Sequence, residues 1–302
     1  MEMGTLLNVL LILGCLVLAF VLPHPVASIR SSSTLVPPPD GISLWFPKDP
    51  SWGWKYDDEL SCNYLDSPGI HTSDEICQAI GPDYHVLTLS APENTTSVRY
   101  QAKQKVSLWK KGSHYAASFS TRFTFARLRG SKAKGGGIAF AITPTFDVPN
   151  DISGFDTLGL FAINTSTNST SVHTLAIEID LSSSSNDWDF LAPHIGLDLN
   201  SLRSSVVKPL PSSLLDGRKI GIFIDYNAAT QHLSVLVQDL KVSRGVLDRS
   251  KAIPYLNYYN LNLSNYVLEE SFIGFSADVP VASDGAYAIY HWKFDTKWVN
   301  LA

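Results

Sequence analysis

The fold is decided by residues 174–200, which read Thr-Leu-Ala-Ile-Glu-Ile-Asp-Leu-Ser-Ser-Ser-Ser-Asn-Asp-Trp-Asp-Phe-Leu-Ala-Pro-His-Ile-Gly-Leu-Asp-Leu-Asn. Apolar residues alternate with other residues on both sides of a polar loop, which predicts two neighbouring strands. Glu178 and Asp180 are two positions apart, so their side chains project from the same face of the first strand. His194 opens the second strand. The pattern therefore predicts a hairpin with charged groups gathered at one end.

The candidate metal ligands of this hairpin are Glu178, Asp180, Asp189 and His194. Carboxylates crowded at one place repel each other and take up protons unless a cation compensates their charge. Oxygen ligands suit Ca²⁺, and carboxylates with one imidazole suit Mn²⁺ or a similar ion. The alternative is that these residues are ordinary solvated strand ends.

Most of the remaining chain shows the same period-two alternation. It recurs at residues 119–125, 138–142, 220–224, 233–237, 272–277 and 288–294. Long amphipathic helical stretches are absent from the sequence, and only residues 73–81, with Ser73 as cap, are predicted to form a short helix. Many strands without intervening helices predict an all-β fold, an antiparallel jelly-roll β-sandwich.

Composition restricts the class of protein. The 302 residues are 45% hydrophobic and 17% charged, which allows one large buried core. The formal net charge of −5 gives no support to a nucleic-acid partner, which would favour a basic patch.

The N-terminal segment is predicted to be a signal peptide at residues 1–28. Residues 6–22 are almost entirely apolar, and Val26, Ala27 and Ser28 supply small residues for cleavage. An uncleaved anchor remains an alternative, because no Lys or Arg precedes the apolar run. No second run reaches the roughly 18 residues of a membrane span. We expect a flexible segment at 29–41, a single domain at 42–302, and a secreted or vacuolar location.

Cysteines and sequons agree with the secretory pathway. Once the leader is removed, Cys62 and Cys77 are the remaining pair, for which a disulfide is the default and two buried thiols the alternative. Candidate glycosylation sites share the Asn-x-Ser/Thr pattern and are Asn94, Asn164, Asn168 and Asn262.

Together these motifs resemble the legume (L-type) lectin family, with its concanavalin-like sandwich. The hairpin is similar to the family's metal-binding signature, and further motifs follow in the family's order at residues 118–123, 137–140, 158–161 and 273–277 and at Trp292. The resemblance covers roughly residues 85–300, while residues 42–84 depart from it. It implies a carbohydrate-binding protein without catalysis, whose partners are glycans or glycoproteins. It also implies a possible homodimer. Receptor kinases share this domain, but the chain ends at Ala302, so we expect a free protein without a kinase.

The resemblance also implies the ligand set of two structural ions. Mn²⁺ would be held by Glu178, Asp180, Asp189 and His194, and Ca²⁺ would share the two aspartates and take oxygens from the loop, including Ser184. Ser204 lies where the family often has a hydroxyl that supports the metal ligands.

The sugar site departs from the family pattern. The family uses an Asp in a Gly-Asp-Gly turn, a Gly backbone N–H, an Asn of the metal loop and a stacking aromatic. Here Gly136 stands at the Asp position, Asp156 at the Gly position, and Ser184 and Ser182 at the Asn and aromatic positions. If the loop is shifted, Asn186 could replace Ser184. Other candidates for stacking or hydrogen bonding in these loops are Trp188, Phe190 and Asp156, although an aromatic such as Trp188 often only fills space.

Three functions remain in competition. The first is a secreted lectin with an atypical sugar site. The second is a lectin-fold scaffold that has lost sugar binding and serves defence, storage or apolar-ligand binding. The third is a glycoside hydrolase on the same fold, which is disfavoured because Ser182 stands where the second catalytic Glu of a Glu-x-Asp-x-Glu strand would be.

Overall fold

The sequence pattern produces strands throughout the part of the chain that can be described. The computed structural model describes residues 41, 43–46, 60–66, 69–72, 86–89, 97–102, 105–127, 136–147, 157–161, 172–181, 193–211, 214, 219–241, 246–278 and 287–302. For 43–46, 60–66, 69–72 and 86–89 the description is limited to the backbone. The chain divides between residues 36 and 37, and all described residues belong to the second part.

Sixteen strands lie within the described residues. They are β1 (Ser43–Phe46), β2 (Leu60–Asp66), β3 (Gly69–Thr72), β4 (Val86–Leu89), β5 (Ser97–Ala102), β6 (Val106–Ser107), β7 (Tyr115–Arg127), β8 (Gly137–Thr143), β9 (Leu175–Asp180), β10 (His194–Leu199), β11 (Val206–Pro209), β12 (Lys219–Asn227), β13 (His232–Asp239), β14 (Ile253–Tyr258), β15 (Glu270–Asp278) and β16 (Tyr287–Asn300). Short 3-10 helices are found at Arg249–Lys251 and Leu263–Asn265.

The strands form two antiparallel sheets. The back sheet has the order β1-β16-β7-β12-β13-β14, with β4 also paired to β16. The front sheet has the order β11-β10-β9-β8-β15-β5-β2-β3, with β6 also paired to β15. Every strand pair in both sheets is antiparallel, which confirms the predicted all-β antiparallel sandwich.

Aromatic side chains from both sheets form the main core. Phe275 of the front sheet meets Phe123 and Trp292 of the back sheet edge-on, with ring centroids 4.9 and 5.1 Å apart. All three are at most 1% exposed. The Trp292 indole N–H donates to Thr121 Oγ1 over 2.9 Å, so its polar atom is satisfied inside the core. These contacts join the two sheets.

A second apolar cluster covers the outer face of the front sheet and positions the candidate site. Ala139, Ala141 and Ala176 lie on β8 and β9, and residues 157–161 pack over them with Leu158, Leu160 and Phe161. Because the strand residues are small, the loop can lie close to the sheet. Consequently, both faces of β8 and β9 are buried.

Several sequence predictions fall outside the described residues. They are the signal peptide, the flexible segment, the short helix at 73–81, Cys77, the side chain of Cys62, and the sequons at Asn94, Asn164 and Asn168. Asn262 is described and is exposed at the start of a 3-10 helix, where its Oδ1 accepts from the Ser264 backbone N–H. Within the described residues, the structure contains no helix with the length and hydrophobicity needed to cross a bilayer.

Candidate functional site

The hairpin of β9 and β10 brings the predicted metal ligands of these two strands together. In the antiparallel register, Asp180 lies directly opposite His194, and Glu178 lies opposite Gly196. Directly opposed residues of an antiparallel pair project from the same face of the sheet. The alternation in the sequence therefore places two carboxylates and one imidazole on the outer face, while Ile177 turns toward the core.

These three side chains are buried, and two of them, Glu178 and His194, are in contact. His194 is fully buried, and Glu178 and Asp180 are 4% and 6% exposed. Glu178 Oε1 lies 3.0 Å from His194 Nε2. These three residues are therefore not solvated strand ends, whereas Asp189 lies outside the described residues. Buried charged groups are normally paired with an opposite charge or bound to a metal ion, and this is what we look for at the end of the hairpin.

Gly196 is required for this arrangement. A Cβ atom there would lie 2.4 Å from Glu178 Oε1 and 2.1 Å from Ser204 Oγ, so both side chains would have to shift and their contact would be disrupted. The space that glycine leaves is used by Ser204, whose hydroxyl lies 2.5 Å from Glu178 Oε1 and 2.7 Å from Asp198 Oδ1. Ser204 thus supports Glu178 from the side, as the sequence predicted for this hydroxyl.

The donor set of the hairpin fits a divalent ion. Two ligands that are each about 2.1 Å from one ion and about 90° apart lie about 3 Å from each other. The distance between Glu178 Oε1 and His194 Nε2 has this value, which is also that of an ordinary hydrogen bond. Asp189 and Ser184 lie outside the described residues, and within the rest no group of three His, Cys, Asp or Glu side chains has the geometry of a metal site.

The residue before β8 is Gly136, where the family's sugar-binding aspartate is predicted to be missing. Gly136 is buried and has φ of +70°, a conformation that favours glycine. Its carbonyl accepts from the Leu181 N–H over 2.9 Å, which ties the turn to the end of β9. A Cβ at this position would lie 2.4 Å from the backbone oxygen of Asp278. The backbone of this chain is therefore built around the absence of a side chain at residue 136.

A buried carboxylate lies beside that turn, on the neighbouring strand. Asp278 ends β15 opposite Gly137 and is fully buried. Its Oδ2 accepts from the backbone N–H groups of Thr157 and Leu158 over 2.9 and 2.7 Å, and its Oδ1 accepts from the Ser97 hydroxyl. Two N–H groups of the loop at 157–161 are thus directed to a carboxylate of the protein itself.

The phenol of Tyr287 belongs to the same buried group. It would lie 3.3 Å from a Cβ at Gly136. Burial raises the pKa of Tyr287, and the negative charges of Asp180 and Asp278 raise it further against the opposing effect of Arg127. The Tyr287 phenol is therefore buried among charged groups of both signs.

Arg99 also binds the loop at residues 157–161, through its guanidinium group. Its guanidinium donates to four backbone carbonyls, and the shortest contacts are to Asp147 at 2.6 Å and Gly159 at 2.7 Å. The other two acceptors are Thr145 and Leu160, both at 3.3 Å. Arg99 is 2% exposed, and burial lowers its pKa to about 10, partly offset by Asp147. It remains charged near neutral pH and fixes two loops to β5.

Comparison with known proteins gives the family. The sequence model of the legume lectin domain matches residues 77–300. The chain belongs to the legume lectin family. Members of this family generally bind calcium and manganese. The match begins slightly before the region of resemblance predicted from the motifs.

Known legume lectins are similar in sequence and in fold. Lectin DB58 of Vigna unguiculata subsp. cylindrica is 34% identical over 198 residues, which cover 64% of this chain and 65% of that lectin, just under two thirds of its length. Lectin II from Ulex europaeus superposes with a TM-score of 0.64 at 22% identity, covering 85% of this chain and 98% of that one. Arcelin-5, a lectin-like defense protein from Phaseolus vulgaris, superposes with a TM-score of 0.60 at 19% identity, covering 86% and 99%.

The structure brings together part of the site predicted for this legume-lectin family member, and it adds buried residues that the sequence did not indicate. The sequence predicted Glu178, Asp180, His194, Ser204 and Gly136, which the structure places around the ends of β9 and β8. The predicted ligand-binding residues of the loops lie outside the described residues, namely Asp156, Ser182, Ser184, Asn186, Trp188 and Phe190. The added residues are Arg99, Asp278 and Tyr287. The available signal was the charge of Arg99 and Asp278 inside the strands β5 and β15.

Proposed function

We propose that this chain is a secreted, lectin-like carbohydrate-binding protein with a structural Mn²⁺ and Ca²⁺ hairpin and an atypical sugar site. The observation that carries the proposal is the buried group of Glu178, Asp180 and His194 at the end of the β9–β10 hairpin. Asp189 would complete the Mn²⁺ ligands, and Ser184 would contribute on the Ca²⁺ side. The ions would fix the loops that form the sugar site. No bond-breaking step is part of this proposal.

We expect native protein purified from its secreted or vacuolar source to contain Mn and Ca, because the hairpin buries carboxylates that require a cation. Elemental analysis by mass spectrometry measures this directly. The variants Glu178→Gln and His194→Ala should lose Mn, whereas His114→Ala, which removes an exposed imidazole, should keep both ions. Native protein with neither Mn nor Ca would refute the metal hairpin.

We also expect weak or absent binding of mannose, glucose and galactose. Gly136 offers no acceptor, and each sugar hydroxyl buried without a partner costs about 1–3 kcal/mol. Titration calorimetry on the metal-loaded protein tests this expectation. Clear binding at millimolar affinity or better would show that another group replaces the missing carboxylate.

The second candidate function is a legume-lectin scaffold without sugar binding, in defence, storage or binding of an apolar ligand. One observation favours it: Asp278 takes the N–H groups of Thr157 and Leu158, in the loop where the family offers a backbone N–H to sugar. The lectin-like defense protein arcelin-5 has a similar fold. A glycan array with and without chelator separates the two. Chelator-sensitive glycan binding supports the first proposal, and no glycan binding supports the second.

A further inference from the structure

An exposed aromatic ring and a glycosylation sequon lie three residues apart at one corner of the back sheet. Tyr259 directly follows β14 and is 64% exposed, more than any other large hydrophobic side chain among the described residues. Asn262 begins the sequon Asn262-Leu263-Ser264. Three residues of chain span at most about 11 Å, so a sugar attached to Asn262 lies within reach of the ring.

The ring of Tyr259 is held in a fixed position. It stacks on the imidazole of His232, with ring centroids 4.4 Å apart and an angle of 9° between the planes. His232 Nε2 lies within hydrogen-bond distance of Asn257 Oδ1, at 3.0 Å. The imidazole covers one face of the phenol ring, so the exposed area belongs to the opposite face and the edge. Because the ring is already immobilised, a group that packs on it costs little further side-chain entropy.

Asn262 is also fixed, with its amide nitrogen available. Leu261 and Leu263 on either side are buried, at 0% and 2% exposed, which turns Asn262 outward. Its Oδ1 accepts from the backbone N–H and the hydroxyl of Ser264. Among the described residues, nothing accepts a hydrogen bond from Nδ2, the atom that carries an N-linked sugar. Glycosylation replaces a hydrogen of Nδ2 and leaves Oδ1 unchanged, so the sugar is compatible with the cap of the 3-10 helix.

The ring and the sequon share one base in the fold. Tyr259 stacks on the side chain of His232, and the Leu261 N–H donates to the carbonyl of the preceding residue, Gln231, over 2.8 Å. The chain between Tyr259 and Asn262 is thus attached to two consecutive residues at the start of β13. The separation between the ring and the amide is therefore set by the fold.

We propose that Asn262 carries an N-linked glycan whose first N-acetylglucosamine packs on the exposed face of Tyr259. The sequon specifies the occupant, because it attaches a saccharide covalently within reach of the ring. The C–H groups of the sugar form an apolar face that suits an aromatic ring, while its hydroxyls stay in water. The glycan then stabilises this corner of the back sheet. The proposal rests on the secreted location proposed above and does not depend on the metal hairpin.

The full chain, secreted from mammalian cells treated with kifunensine to keep its glycans high-mannose, tests the proposal. Peptide mapping by mass spectrometry measures the occupancy of Asn262, which we expect to be high. Endoglycosidase H trims one sample to a single N-acetylglucosamine at each occupied sequon, and peptide N-glycosidase F removes all sugar from another. Losing that last sugar should raise the unfolding equilibrium constant about three- to tenfold more in the parent than in Tyr259→Ala, the equivalent of one aromatic contact. The other sequons are treated alike in both proteins, so their contributions cancel.

Two control variants and a direct readout make the test specific. Ile253→Ala shortens another exposed side chain of the same sheet edge and should behave like the parent. Tyr259→Phe keeps the ring and should also behave like the parent. In NMR spectra of the trimmed protein, the N-acetyl methyl signal of the sugar on Asn262 should be shifted upfield by the ring, and Tyr259→Ala should abolish that shift.

Each contrary result has a distinct meaning. A bare Asn262 in secreted protein that is glycosylated at other sequons overturns this proposal and leaves the secreted location standing. Protein without sugar at any sequon contradicts the secreted location, and this proposal fails with it. An equal stability step in the parent and in Tyr259→Ala, without a shifted methyl signal, shows that the glycan projects into water and overturns the contact. If sedimentation shows a dimer that Tyr259→Ala dissociates, the ring belongs to an interface with a second copy, and the proposal is wrong.

Discussion

Arg99→Met is expected to lower the free energy of unfolding by about 3–5 kcal/mol, the range for removing one partner of a buried charged network. Methionine fills much of the same space but leaves the carbonyls that Arg99 serves without their donor. Those carbonyls belong to Thr145, Asp147, Gly159 and Leu160. Gly159 and Leu160 are buried, and each buried acceptor that loses its partner costs about 1–3 kcal/mol, so losing these two accounts for the total. Thr145 and Asp147 are exposed, so their carbonyls can turn to water instead. The midpoint of urea unfolding, followed by tryptophan fluorescence, measures the change.

The matched control is Arg122→Met, because Arg122 is an exposed arginine on β7. It should change the unfolding free energy by no more than about 0.5 kcal/mol. Hydrogen exchange adds a local readout. In Arg99→Met, the rise in exchange rate relative to the parent should be larger for residues 157–161 than for the core strands β12 and β13. If both arginine variants are equally stable, the guanidinium does not hold the loops and our interpretation fails.

The strands that sequence predicted are those with clear alternation between a core face and an outer face. Residues 119–125, 138–142 and 220–224 fall within β7, β8 and β12, with the large apolar residues turned to the core. Their packing follows from period-two patterning, because burying one face of a strand decides its register. The fold could therefore be predicted from the sequence.

The strands that were missed contain residues that alternation does not explain. β14 carries Pro254 beside an irregularity of register between Val235 and Leu236, and β11 is half-exposed with Lys208 and Pro209. Such features are typical of edge strands, where proline and lysine are tolerated. A search for alternating apolar residues finds strands with one buried face and does not find such edge strands.

The anchors of the site were missed for a related reason. On β5, Ser97, Arg99 and Gln101 alternate with apolar residues, which by pattern alone predicts a solvent-facing polar row. In the structure all three are buried, because residues 157–161 cover this region of the front sheet. The sequence does not state which loop folds over which face, so a buried polar row could not be told from an exposed one. Glu178 and Asp180 were identified as site residues both from their spacing on one strand face and from their resemblance to a known metal motif.

Gly136→Asp is expected to destabilise the protein by about 2–5 kcal/mol, despite placing the family's sugar-binding residue at its usual position. An L-residue at the positive φ of Gly136 costs about 1–2 kcal/mol. The Cβ would also approach the Asp278 carbonyl to 2.4 Å, and relieving such overpacking costs about 1–3 kcal/mol more. The new carboxylate would enter a buried position close to the Tyr287 phenol, where an unpaired charge is costly. We therefore expect no gain in monosaccharide binding by calorimetry.

Two alanine variants separate the causes. Gly112 has nearly the same φ, +72°, but nothing lies within 4 Å of its Cβ position, so Gly112→Ala reports the backbone cost alone. Gly136→Ala adds the collision without the charge, and Gly136→Asp adds both. The unfolding free energy should fall in that order, with the step between the two alanines measuring how closely β15 approaches the turn. The contrary result is a Gly136→Asp variant that is as stable as the parent and binds mannose. It would show that the turn can adopt the family's backbone and that this backbone does not require glycine at residue 136. The expected order instead implies that sugar binding in the family's pose cannot be regained at residue 136 alone, because the backbone of β15 occupies the space that the side chain needs.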